Sequence, residues 1–161
     1  MATPSVQLID ALRTTARQLG SSAGFRWTHM GRCICGHLAQ TITSFSPAEI
    51  HALALQKAGD WEQQTLDYCP SSRFAIDFVI QSMLDLGLNR QDIAHLEKLS
   101  DVRVLRHLGV THLDYRSAAD AVCYLKAFSD ILETELLEDQ VPGIQEITET
   151  VGLHSSIAGS Y

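Results

Sequence analysis

From Val6 to Leu136 the apolar residues of this chain recur at intervals of three and four, and no stretch alternates apolar with polar side chains. A period near 3.6 builds amphipathic helices and a period of two builds strands, so the chain is constrained to pack helix against helix. Val6, Ile9, Leu12, Ala16 and Leu19 predict a first helix over Pro4–Leu19, with Thr3 as N-cap and Gly20 as its stop. Ile34, Leu38, Ile42 and Phe45 share one face of a second helix, expected over Cys33–Phe45. Ser46-Pro47-Ala48-Glu49 is a capping box that opens a third, which runs through Ala58 to Gly59.

Asp60 caps a short helical segment, Trp61–Tyr68, that must end before Pro70. Phe74 to Leu86 is apolar nearly all round and reads as the central buried helix, with a stripe of Asp77, Gln81 and Asp85 turned to water. Asn89 and Ser100 begin two short helices, Arg90–Leu99 and Asp101–Leu108, and Asp114 caps the longest, through about Glu138. A weak helix is expected after Val141-Pro142-Gly143. The expected fold is all-α: a compact single-domain bundle of about six to seven helices over residues 1–152, with one long loop between helices one and two. Residues 153–161 read as a flexible tail.

A length of 161 residues suits one domain with a sizeable core. No apolar run approaches a membrane span, and Met1-Ala2-Thr3-Pro4-Ser5 lacks the basic-then-apolar start of a secretory signal, so no membrane partner and a cytoplasmic location are expected. In that compartment Cys33, Cys35, Cys69 and Cys123 are read as thiols, ligands or core residues. Seven of the 19 acids follow Ser129, where there is no Lys or Arg, whereas Ala11–Ala48 holds Arg13, Arg17, Arg26 and Arg32 and no carboxylate. Four arginines in an acidic chain make a poor nucleic-acid footprint, so no nucleic acid is expected either.

One segment, Gly24 to Gln40, concentrates two His, two Cys, two Arg and a Trp where the long loop enters helix two. If Cys33–His37 is extended, Cys33, Cys35 and His37 share a face and His29 completes a four-ligand set for zinc or iron. If the segment is helical, the pair splits. Cys35 joins the apolar face, while Cys33, His37, Gln40 and Ser44 line a polar one. Cys33 then sits at a helix N-terminus beside Arg32, where a thiol pKa falls, and Cys69 could serve as a resolving thiol. Gly31-Arg32-Cys33 at a helix start resembles the setting of the cysteine in papain-like and transglutaminase-like enzymes. Those folds bring histidine from a β-sheet, and with no strand pattern here the activity is not carried over.

The crowding can be packing alone, a hydrogen-bonded junction that anchors the long loop, and beside that stand three functional readings. The first is a site for a metal ion or small anionic ligand, with His29, Cys33, Cys35 and His37 as metal candidates and Arg26, Trp27, Arg32, Gln40 and Asp77 as ligand contacts. Asp77, if buried, could orient His37 or Arg26. The second is a helical interaction module or homo-oligomeric scaffold whose surface is Arg90–Leu108 and Tyr115–Glu138. The third is a thiol enzyme or redox sensor on Cys33. Elsewhere, Asp92 and His95 read as a solvated pair, Cys123 as core, and His51, His107, His112 and His154 have no partner at ligand spacing.

Overall fold

The computed structural model describes residues 2–21 and 24–140, and among them the chain is all-helical. Eight helices are present, against the six to seven expected: α1 Val6–Ser21, α2 Ile34–Thr43, α3 Pro47–Ala54, α4 Trp61–Leu66, α5 Ala75–Asp85, α6 Arg90–Lys98, α7 Val102–Leu108 and α8 Ala118–Asp139. The weak helix after Pro142 and the 153–161 tail lie outside the described residues.

All the helices but α5 begin where a side chain takes an orphan N–H group. Ser46 and Glu49 form the expected capping box on α3, and Asn89 forms a second one with Asp92 on α6. That reciprocal bond, with Asp92 buried, corrects the reading of Asp92 and His95 as a solvated pair; His95 instead bonds Ser100 Oγ at 2.8 Å. Three other caps differ from expectation: Asp101, not Ser100, caps α7, which starts at Val102. Thr3 donates its backbone N–H to Gly87 O at 2.7 Å, and Ser5 accepts from Leu8 N instead, so α1 starts at Val6. Asp114 is spent on Arg116 N, and Ser117 caps α8.

The longest helix, α8, packs most extensively against α1, with α7 along its other side and α2 on the far side of α1. Leu8, Leu12, Ala16 and Leu19 of α1 and Ala121, Leu125, Phe128 and Leu132 of α8 are buried in this seam at three- and four-residue spacing. An Arg13 fork onto Glu133 at 2.7 and 3.0 Å closes its solvent edge. The contact face expected on Tyr115–Glu138 is therefore largely used within the chain. Ile76, Val79, Ile80 and Met83 of α5 join the core beside Ile34, Cys35 and Leu38 of α2, which places the start of α2 near the centre of the molecule.

Asp77 departs from the stripe turned to water: it is 4% exposed. Its carboxylate accepts from Lys57 Nζ at 2.9 and 3.2 Å and from the Ser72 hydroxyl, not from Arg26 or His37. Lys57 reaches it because α3 ends at Ala54 rather than at Ala58. Cys123 is exposed, not core, because it falls one residue off the α8 seam. No described helix is long and apolar enough to cross a membrane.

Candidate functional site

The loop that precedes α2 is built around two residues, Met30 and Gly31. Arg26 N–H bonds Arg32 O at 3.0 Å and His29 N–H bonds Arg26 O at 3.1 Å, folding the loop into consecutive turns. The four backbone polar atoms of Met30 and Gly31 are all met by side chains. Met30 N–H donates to His51 Nδ1 at 3.2 Å, and Gly31 N–H donates to His29 Nδ1 at 3.2 Å. Met30 O accepts the Trp61 indole N–H at 3.2 Å, and Gly31 O accepts the Gln40 amide at 2.7 Å. A buried peptide in a loop must find partners for both its polar groups. Here α2, α3 and α4 each send one, and the loop supplies the fourth.

This demand explains where most of the chemically loaded residues stand. His29 and His51 lie face to face, ring centroids 3.9 Å apart and 20° from parallel. Each accepts a backbone N–H through Nδ1, which leaves the proton on Nε2 and no lone pair there for a metal. Burial, followed by the neighbouring His51, Arg32 and Arg26 charges, holds the His29 pKa below its ordinary value. His51 was expected to lack a partner, and its signal is absent from local spacing because its partners lie more than twenty residues away.

Cys33 is the N-cap of α2, with extended backbone at φ −75° and ψ 178°, and it accepts Gly36 N–H at 3.4 Å. Its own S–H points to Met30 O at 3.6 Å. The thiol is 2% exposed, and burial pushes its pKa up to about 11. This corrects the expectation of a low-pKa thiol at the helix start: the N-terminal field is outweighed by desolvation. Cys35, inside the helix, faces Ile93 O at 3.6 Å and is also pushed up by burial. The C-x-C pair thus splits as a helix requires. Cys69 is exposed at its turn, and all four cysteines are free thiols. Among the described residues no group of three or more His, Cys, Asp and Glu side chains is placed to hold a metal ion. An alkylating reagent is accordingly expected to label two thiols, Cys69 and Cys123, at neutral pH and all four only after denaturation; mass spectrometry reads the count.

Three other candidates are placed apart from the Met30–Gly31 node. Arg26 and Arg32 are exposed, and neither forms an ion pair among the described residues. Trp27 packs against Tyr115, ring centroids 4.8 Å apart and tilted by 46°, with Lys98 Nζ 5.1 Å and the Arg116 guanidinium 5.7 Å from its ring, which ties the loop to the α7–α8 connection. Glu97, which the sequence did not single out, is buried and accepts Trp61 N–H at 3.3 Å and Glu62 N–H at 3.0 Å, so it caps α4 from another helix. An acid in the last turn of α6 runs against the helix dipole, and that is the signal that could have found it.

Among the described residues three buried side-chain polar atoms have no hydrogen-bond partner, Trp27 Nε1, Gln64 Oε1 and His37 Nε2, and His37, 6% exposed, is the one of these residues that borders a cleft. The ring borders a cleft of about 420 Å³ between α1 and α2, lined by Gln18, Ser21, His37, Gln40, Ser44 and Phe45. His37, Gln40 and Ser44 are the polar helical face expected from their spacing; Cys33 is missing from it because it lies one residue outside the helix and turns back into the node. Among the described residues no carboxylate lines the cleft. Burial, with the Arg32 charge adding to it, lowers the His37 pKa, so the ring is neutral at neutral pH.

Both lowered imidazoles carry a stability consequence. The unfolded state binds protons near the ordinary histidine value of 6.5, while the folded state binds them only at lower pH. Stability is therefore full above 6.5 and falls as pH drops below it. Denaturant midpoints measured from pH 8 downward are expected to fall below pH 6.5, and less so in His29→Asn, which keeps an acceptor at the Nδ1 position without a titrating ring. An unchanged slope in that variant would contradict the assignment.

Comparison of the chain with protein-family models, curated proteins and solved structures gives no match.

Proposed function

We propose that this chain is a binding module for a small anionic molecule, received in the cleft beside His37. The observation that carries the reading is the buried, unpartnered His37 Nε2 in a ring that borders a ligand-sized hollow. Binding pockets span about 300–1,000 Å³ and combine a few convergent polar groups with apolar wall. A buried polar atom without a partner calls for one. Gln18 lines the same cleft and accepts from the Thr41 hydroxyl through Oε1 at 3.2 Å, so its amide N–H groups are the donors it can offer a ligand.

An anion is favoured by charge. Among the described residues the cleft wall carries no acid, and the Arg32 charge acts on His37. An anion next to His37 would favour its charged form, so binding should take up a proton and strengthen as pH falls toward the imidazole range. Binding is preferred to thiol catalysis because Cys33, the nearest nucleophile, is buried, protonated and directed into the Met30–Gly31 node.

The test is thermal stabilisation by inorganic phosphate and succinate, with glucose as neutral control, on the wild type and His37→Gln. Stabilisation by the anions that grows with the logarithm of concentration and is lost in His37→Gln is the expected result. Equal stabilisation of both proteins, or none, removes the reading. Stoichiometric zinc lost in Cys33→Ser would put a metal in its place.

A further inference from the structure

The His37 cleft does not end at its polar wall. Phe45, which closes one side of it, lies with its ring centroid 6.3 Å from that of Phe78 on α5. Phe78 is 60% exposed and, with Phe74 at 42%, faces outward from a helix whose other side is buried. Phe74 and Phe78 line a second hollow of about 310 Å³ with Pro70, Ala75, Ser72, Arg73, Asp77 and Gln81. Phe45 of the first cleft and Phe78 of the second are thus neighbours, with a polar wall on the α1–α2 side and a mainly apolar one, edged by Arg73 and Asp77, on the α5 side. Phenylalanines this exposed contribute little to the core, and an apolar patch beside a polar hollow suits a molecule with two unlike ends.

From this juxtaposition we infer that the ligand is an amphipathic anion, a carboxylate carrying an unbranched alkyl chain, whose head lies beside His37 and whose chain crosses Phe45 onto Phe78 and Phe74. The inference rests on the binding function proposed above and names the ligand class for the same site. The head meets a wall without carboxylates. The chain meets two rings that lose exposed area only when something apolar covers them. At the far end Lys57 Nζ, 5.4 Å from the Phe74 ring centroid, is matched by Asp77, and Arg73 is the rival cation for the head: a series unaffected by His37→Gln would put the head there and overturn the inference.

The experiment is a chain-length series, butanoate to decanoate below their micellar concentrations, titrated calorimetrically into the wild type, Phe78→Ser and His37→Gln. Because Phe78 is exposed, its replacement leaves the fold intact, which circular dichroism verifies. Affinity in the wild type should rise about threefold to fourfold for each methylene that reaches the rings. In Phe78→Ser the rise should flatten while butanoate and phosphate bind as before, and in His37→Gln all members should weaken together. A flat series with intact phosphate binding overturns the inference and leaves the His37 function standing. A rise unchanged in Phe78→Ser places the chain elsewhere and overturns it as well. If neither phosphate nor any carboxylate binds, both fall together.

Discussion

Replacing Gly31 with alanine is expected to destabilise the protein by about 3 kcal/mol, the upper end of what an overpacked methyl costs. A Cβ at Gly31 would overlap the Pro47 carbonyl oxygen and lie 2.7 Å from its carbonyl carbon. Pro47 is the first residue of α3, whose start is fixed by the Ser46–Glu49 capping box, so the oxygen cannot step aside without unseating that helix. Gly36 faces the same obstacle from the other direction: its Cβ would overlap Met30 O and sit 2.7 Å from Gly31 Cα. Neither residue has a positive φ, so the cost is purely steric. Gly20 supplies the control, since its Cβ meets nothing within 4 Å and it lies in α1. Gly20→Ala should stabilise by about 0.5 kcal/mol through helix propensity alone. Denaturant unfolding of the three variants reads the contrast. Gly31→Ala within about 1 kcal/mol of wild type, the size of an average point substitution, would mean that α2 and α3 are not held this close.

Lys57→Met is expected to cost about 3 kcal/mol, because it leaves the Asp77 carboxylate in the interior without its counter-charge. The pair is close, 2.9 Å, and well covered, with side-chain exposures of 13% and 4%. Lys57 Nζ also donates to Asp67 O at 3.1 Å, so the substitution frees the α4–α5 connection as well. The Ser72 hydroxyl remains as the one donor to Asp77 and cannot offset a full charge. Adding Asp77→Asn should recover most of the loss, since a neutral amide no longer needs the ammonium. A double-mutant cycle with a coupling near zero would show the two groups to be independently solvated.

These two predictions fall on contacts that no local rule reveals. Helix caps were legible because their partners sit three residues apart: Ser46 with Glu49, Asn89 with Asp92, Asp60 with Gln63. The polar face of His37, Gln40 and Ser44 was legible for the same reason, as 3.6-residue spacing puts them together. Cys33 was misplaced because a single residue decides whether a side chain belongs to the helix face or caps it, and helix ends are the least certain feature of a periodic pattern. Lys57 and Asp77 are 20 residues apart, Met30 and His51 21, and Trp61 and Met30 31. Such pairs are set by tertiary packing. The crowding of His, Cys and Trp around Gly31 was visible in the sequence, but its reason was backbone satisfaction, a need that spacing does not display.

The account holds that His29 and His51 are committed to the Met30–Gly31 backbone and that His37 is the imidazole left open. A long-range ¹H–¹⁵N correlation spectrum of the histidine rings at neutral pH, recorded before and after addition of phosphate, tests this most directly. His29 and His51 should show an unprotonated Nδ1 and a protonated Nε2 and stay unmoved, while the His37 ring nitrogens shift as phosphate saturates. A silent His37, or phosphate-dependent changes confined to His29 and His51, would contradict it.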